Sequence, residues 1–201
     1  MIRNNCYLYS LLVLFSLAET MTLTSCSKDD DDVKKEDIIV GMEKDNDLPV
    51  DIDGVSIDLK ILNTDSVAMK AFKEHEDFFF VLSFTNNTNQ DVDFPTSDDI
   101  IGDDFFRVYA SDGVYIGRPW DFKTTAISSH PILYAKSTRI IWCSWLSYSN
   151  RDGLPFQKIR GYELFKYPNR VFLPKGSYYT EFEITIHNGK NVRFRKEFKI
   201  I

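Results

Sequence analysis

Apolar and polar residues alternate with a period of two through much of the chain beyond residue 48. Val55-Ser56-Ile57-Asp58-Leu59-Lys60-Ile61 puts apolar side chains on one face and polar ones on the other, the pattern of a strand with one face in a core. Phe78-Phe79-Phe80-Val81-Leu82-Ser83-Phe84-Thr85 is apolar on both faces and predicts a central strand. Further strands are predicted over 91–94, 105–110, 114–117, 138–146, 162–166, 178–186 and 191–200. Asp53-Gly54, Asp112-Gly113, Asp152-Gly153 and Asn188-Gly189 are pairs that tolerate positive φ, and the second and fourth sit where a hairpin must close. All seven prolines fall outside these strands, as residues without an amide donor should. Over 66–74, Val67, Ala71, Phe72 and His75 could share a helical face after a Thr64 or Asp65 cap; an irregular crossover fits the segment equally well. Many short strands with polar connections predict an all-β, two-sheet β-sandwich of about 7 to 9 strands over 48–201. Sixteen Phe and ten Tyr agree, because flat rings suit a pleated, half-buried surface.

The first 47 residues follow a different pattern. One basic residue, Arg3, precedes an apolar stretch from Tyr7 to Ala18. As a helix that stretch spans about 18 Å, too short for a hydrocarbon core of roughly 30 Å. Leu23-Thr24-Ser25-Cys26 then resembles the bacterial lipobox, an apolar residue and two small ones before the Cys that becomes the new N-terminus. The resemblance implies a signal peptide over 1–25 and acylation of Cys26, an anchor made stable by more than one lipid chain. Of the three cysteines, Cys6 would be discarded and Cys26 consumed, leaving Cys143 without an intrachain partner. Its setting, Ile140-Ile141-Trp142-Cys143, predicts a buried, structural thiol. Ser27-Lys28-Asp29-Asp30-Asp31-Asp32 resembles the export signal of Bacteroidota surface lipoproteins, implying an outer-membrane, cell-surface address. Between Ser27 and Asp47 nine acidic residues face four lysines, so 26–47 reads as a disordered acidic tether.

Two local patterns refine the sandwich. The acidic turn Lys73-Glu74-His75-Glu76-Asp77, leading through Phe78, Phe80, Leu82 and Phe84 to Asn86-Asn87-Thr88, resembles the early strands of bacterial immunoglobulin-like domains. Leu173-Pro174-Lys175-Gly176-Ser177-Tyr178 resembles the corner at which a late strand of that fold begins, which gives Tyr178 a structural role: its hydroxyl would bond back to the backbone. The fold expected is therefore immunoglobulin-like, without the Cys…Trp…Cys signature of antibody domains.

Chemistry is sparse. A formal charge of −6 argues against nucleic acid as a partner. His75, His130 and His187 have no metal-ligand spacing, and no nucleophile elbow, phosphate-cradling loop or dinucleotide fingerprint occurs, so no enzyme, metal site or cofactor is predicted. Asp98-Asp99 and Asp103-Asp104 form an acidic loop, at most a weak calcium site. Residues 48–112 hold four basic and fourteen acidic residues, whereas 157–201 hold ten and four, an asymmetry best satisfied inside the fold. Asp65-Ser66-Val67 resembles the short O-glycosylation acceptor of Bacteroidota secreted proteins. Trp120, Trp145 and Tyr148 are the candidate ligand-binding residues, since an aromatic face beside Asp, Arg or Ser suits a sugar ring; as core residues they would merely cover a sheet. The leading expectation is a non-catalytic surface lipoprotein binding glycan or another surface protein. The alternatives are a structural or assembly subunit of a surface complex or fimbria, with 191–201 as its pairing edge, and a hydrolase or proteinase inhibitor. The last would need a carboxylate pair in a cleft or a rigid loop at Arg151-Asp152-Gly153-Leu154.

Overall fold

The computed structural model describes residues 49–94, 102–120, 132–146, 155–159, 161–163, 172–186 and 190–201. Their strands are β1 (Val50–Ile52), β2 (Val55–Leu62), β3 (Ala71–Phe72), β4 (Phe79–Asn86), β5 (Val92–Asp93), β6 (Val108–Ala110), β7 (Tyr115–Gly117), β8 (Ile132–Leu133), β9 (Thr138–Ser144), β10 (Gly161–Glu163), β11 (Gly176–Thr185) and β12 (Asn191–Ile200). Five form a first sheet in the order β1-β2-β4-β9-β10, five a second in the order β3-β12-β11-β6-β7, and β5 pairs with β8. After β2 the chain crosses between sheets, so that β3 lies parallel to the last strand, with Lys199 opposite Ala71. The crossover from β2 to β3, and a closing hairpin β11–β12 inside the second sheet, make this the all-β, two-sheet sandwich that the alternation predicts. Each of the nine predicted strands has a counterpart. The described strands number twelve rather than 7 to 9, because β1, β3 and β8 are two or three residues long and carry no readable period.

Two predictions change at this level. Residues 66–74 are not helical. The Asn63 carboxamide oxygen accepts the amides of Asp65 and Val67 at 3.0 and 2.9 Å, and Ser66 takes a positive φ of 64°, so backbone donors that a first helical turn would orient are spent locally. The strand predicted over 105–110 begins only at Val108. Phe105 and Phe106 are both fully buried, which strict alternation forbids; a φ of 56° at Phe106 turns the second ring inward.

The core lies between the sheets. Ile57, Leu59 and Ile61 of β2 and Phe80, Leu82 and Phe84 of β4 meet Phe182, Ile184, Val192, Phe194 and Phe198 of the second sheet. At one end Phe78, Phe80 and Phe198 interlock, with ring centroids 5.2 to 6.2 Å apart. The opposite face of the first sheet is also buried, through Leu62, Phe79, Val81, Ile140 and Trp142, which explains why the β4 sequence is apolar on both sides. On that sheet's edge, β10 approaches β9 so closely that a Cβ at Gly161 would stand 2.2 Å from the Ile140 carbonyl oxygen.

Buried polar residues fix the corners. Asn86, at the end of β4, donates to the carbonyls of Gln90 and Leu133 and accepts from the amide and hydroxyl of Thr88. Asp77 accepts the amides of Phe78 and Leu146 at 2.9 and 2.8 Å, tying the entry of β4 to the exit of β9. The Tyr178 hydroxyl donates to the Pro174 carbonyl at 2.7 Å, as the corner pattern predicts. Asp53-Gly54 closes β1–β2 with φ of 52° and 81°, and Asp112-Gly113 closes β6–β7. Asp152-Gly153 and Asn188-Gly189 lie outside the described residues.

Candidate functional site

The outward face of the second sheet carries the most organised set of exposed polar and aromatic side chains among the described residues. Strand register aligns one tyrosine from each of three strands: Tyr115 of β7 faces Tyr109 of β6, which faces Tyr179 of β11. Tyr109 and Tyr179 stack at 5.2 Å and 16°, and Tyr109 and Tyr115 tilt together at 5.6 Å. The Arg195 guanidinium lies 3.8 Å from the Tyr179 ring centre, and that of Arg107 lies 5.6 Å from Tyr115. The result is a continuous row, Arg195–Tyr179–Tyr109–Tyr115–Arg107, in which Tyr179 and Tyr109 stack face to face and Tyr115 is tilted by 56° against Tyr109.

Charged groups hold this row in place. Arg195 bonds Glu181 at 3.2 Å and Glu197 at 3.3 Å, and Arg193 bonds Glu183 at 3.2 Å. Burial works against the Arg195 charge, but the bonds to the two glutamates outweigh it and raise its pKa above the ordinary value. A hydrogen bond with Tyr109 does the same for Arg107, against a smaller opposing effect of burial. Arg193 and Arg195 pair with Glu183 and Glu181 of β11, and Arg195 also with Glu197 of its own strand, so the arginine charge of 191–200 is balanced within the sheet. Lys190–Asp53 at 2.9 Å and Lys175–Glu74 at 3.8 Å join the basic end of the chain to its acidic early half.

Beside Tyr179 a cavity of about 480 Å³ opens. Its lining includes Lys70, Ser111, Ser177, Arg195, Glu197 and Lys199. β3 runs parallel to β12 with Lys199 opposite Ala71, and the Lys199 amide donates to the Lys70 carbonyl at 2.8 Å. Similarly, the Ser111 amide donates to the Ser177 carbonyl at 2.9 Å.

The tryptophans predicted to bind ligand do not stand at a surface. Trp120 is 1% exposed; its indole N–H donates to the Phe105 carbonyl and Arg118 lies 4.5 Å over its ring. Trp145 is likewise 1% exposed and stacks on Phe78 at 6.0 Å. Trp142 and Trp145 do face opposite sides of the first sheet, but both sides are covered, so neither ring offers a platform to a sugar. Tyr148, Cys26, and Arg151 to Leu154 lie outside the described residues, as do Asp98, Asp99, His130 and His187. In the acidic loop Asp104 accepts the Glu183 amide at 3.0 Å, a structural use of a carboxylate considered for calcium. No cluster of three metal-type ligands occurs among the described residues. Cys143 is buried and forms no disulfide among the described residues, and its thiol donates to the Pro119 carbonyl. Asp65 and Val67 are exposed, but the Ser66 hydroxyl is turned inward and makes no hydrogen bond.

Sequence reasoning missed Tyr109, Tyr115, Tyr179, Arg107 and Arg195 as a group. The available signal was outward alternation: Tyr179 follows the inward Tyr178, and Arg193 and Arg195 alternate with apolar neighbours. Only the register unites them. No protein family, curated protein or solved structure matches the chain. Function is therefore argued from the site itself.

Proposed function

We propose that this protein is a non-catalytic lipoprotein, anchored through Cys26 in the outer membrane and exposed at the cell surface, whose sandwich domain captures glycan on the outward face of its second sheet. The observation that carries this reading is the cavity beside Tyr179. Its volume lies within the range of about 300 to 1,000 Å³ usual for small-ligand sites, and serines, lysines, an arginine and a glutamate converge on it. Such a lining matches a polyol, which offers hydroxyls as both donors and acceptors. Recognition here is by hydrogen bonds rather than by ring stacking, because the Tyr179 faces are already occupied by Tyr109 and Arg195.

The test is retention of the mature protein in gels cast with a panel of polysaccharides. Wild type is expected to be slowed by at least one polymer, and Ser177→Ala/Tyr179→Ala to lose about ten-fold in affinity, as expected for one or two lost hydrogen bonds. Equal migration in every polymer would remove the reading. For the anchor, metabolic palmitate labelling should mark the wild type and leave Cys26→Ala unmarked.

One observation favours a protein ligand instead. The row is rich in the residue types, Tyr and Arg, that dominate protein interfaces, and its side chains already contact one another. Surface crosslinking from Tyr115 to a specific co-purifying protein would support that second reading.

A further inference from the structure

We propose that β7 is a pairing edge for a second copy of this chain, so that two molecules join their second sheets through antiparallel β7 strands related by a two-fold axis. This goes beyond the capture reading above and does not depend on it.

The edge is open. β7 ends the second sheet, in the order β3-β12-β11-β6-β7. Its backbone parity is set by the hairpin: the Ala110 amide donates to the Val114 carbonyl at 2.9 Å, so the next facing pair, Tyr109 and Tyr115, exchanges no hydrogen bonds. The Tyr115 N–H and C=O therefore point away from β6. The side chains around them are undefended. Val114, Tyr115 and Ile116 are 56, 52 and 39% exposed, the only run of consecutive large hydrophobic residues left exposed among the described residues. All three favour strands, and none is the lysine or proline that usually blunts an edge.

The sequence of the edge says what covers it. With Tyr115 on the two-fold axis, its outward N–H and C=O bond those of Tyr115 in the second copy. Val114 then stands opposite Ile116 of the second copy, and Ile116 opposite Val114, as β-branched pairs on the face that Val108 and Ala110 turn to the core. Gly113 meets Gly117, so no side chain obstructs the flanks, and Asp112 meets Arg118, so unlike charges face each other. The segment from Asp112 to Arg118 is thus complementary to itself read backwards. An isologous contact requires that property, whereas pairing with an unrelated sequence does not.

The outward face gives a second argument. Tyr179, Tyr109 and Tyr115 occupy facing positions in three successive strands, with centroid spacings of 5.2 and 5.6 Å. The row ends at Tyr115 because the sheet ends there. A second copy would supply the next tyrosine and continue the row through its own Tyr109 and Tyr179, adding an aromatic cross-strand pair at the axis. Contact through one short strand on each side is far smaller than the roughly 1,600 Å² of a standard interface, so the dimer is weak, with a Kd of about 0.1 mM.

The test is sedimentation equilibrium from about 10 μM to 1 mM, on the mature protein with Cys26→Ala so that no lipid drives association. Wild type is expected to pass from monomer to dimer. Val114→Lys/Ile116→Lys and Val114→Glu/Ile116→Glu should each stay monomeric, because like charges then face each other, and an equimolar mixture of the two should dimerise again. Both should keep the wild-type thermal midpoint, since the substituted side chains are exposed. Independently, Tyr115→Cys should form an intermolecular disulfide about ten-fold faster than Val114→Cys or Ile116→Cys, because only the residue on the axis faces itself. Wild type that is monomeric at about 1 mM, or charge variants that still dimerise, would overturn the inference. A mixture that stays monomeric, or equal crosslinking at the three positions, would overturn the self-complementary register on which it rests. Tyr115→Cys joined at the cell surface to a different polypeptide, and not to itself, would give the edge to another partner and overturn self-pairing.

Discussion

Tyr178 and Tyr179 are neighbours in sequence with opposite tasks. The first points into the sandwich and closes a corner by its bond to Pro174; the second points out and stands between Tyr109 and Arg195. Their difference is a matter of strand parity alone. Burial pushes the Tyr178 hydroxyl above the ordinary phenol value. Folding thus favours its protonated form, and this contribution is complete below about pH 10 and lost as pH rises through the higher folded value. Tyr178→Phe should lower unfolding free energy by about 1 kcal/mol at neutral pH, and should flatten the fall in stability above about pH 10. Urea denaturation at neutral and alkaline pH measures both; equal alkaline slopes in the two proteins would contradict the assignment. Other residues were less legible. Trp120 and Trp145 have polar neighbours in sequence, as a binding platform would, yet Arg118 covers the Trp120 indole, whose N–H donates to the Phe105 carbonyl inside the fold. An aromatic residue flanked by charge reads alike in both roles until its exposure is known.

Among the elements, β12 shows how pairing and protection are balanced. Its alternation was legible to the residue, 191–200 predicted and Asn191–Ile200 observed. Its place in the sheet was not. The assembly-subunit alternative takes it as an open edge, but it lies between β11 and β3, although β3 covers only Lys199 and Ile200 among the described residues. The remaining edge is defended by Lys196, which sits in the inward series Val192, Phe194, Phe198, Ile200 and is only 9% exposed. An inward-pointing charge on a partly open strand makes addition of a foreign strand costly. Lys196→Ile should therefore keep or raise the thermal midpoint while producing concentration-dependent oligomers in sedimentation velocity. A strictly monomeric variant would show that the edge is closed by other means. The same feature weakens the assembly-subunit reading, which relied on this strand as the pairing edge. The short strands β1, β3 and β8 escaped the sequence reading because two or three residues hold no period, and the helix considered over 66–74 failed because one carboxamide, that of Asn63, outcompetes a helical turn for its amides.

For the whole molecule, the alternation of apolar residues was sufficient to predict two sheets and one core, since inward positions outnumber what a single-layer sheet could bury. The row of tyrosines and arginines on the second sheet was beyond reach, since it depends on the register of β6 and β7 with β11 and β12, distant in sequence. The domain boundary is testable in the same terms. A fragment beginning at Leu48 contains every described strand and should unfold in one cooperative transition within a few degrees of the mature chain, by calorimetry. A drop of more than about 5 °C, equivalent to more than 1 kcal/mol for a domain of this size, would show that part of 26–47 is packed on the sandwich.

The small strand β1 has one more implication, for force. It is three residues long, pairs only with β2 among the described residues, and is the first described strand on the N-terminal side. Tension applied from that side meets this hairpin arm before any other described strand and would peel it residue by residue, instead of shearing the long ladders behind it. Release of Val50 to Gly54 would pay out roughly 17 Å of slack. The body of the sandwich would feel little of the load until that slack was exhausted, so β1 can act as a small mechanical fuse between whatever holds the chain and whatever the chain holds.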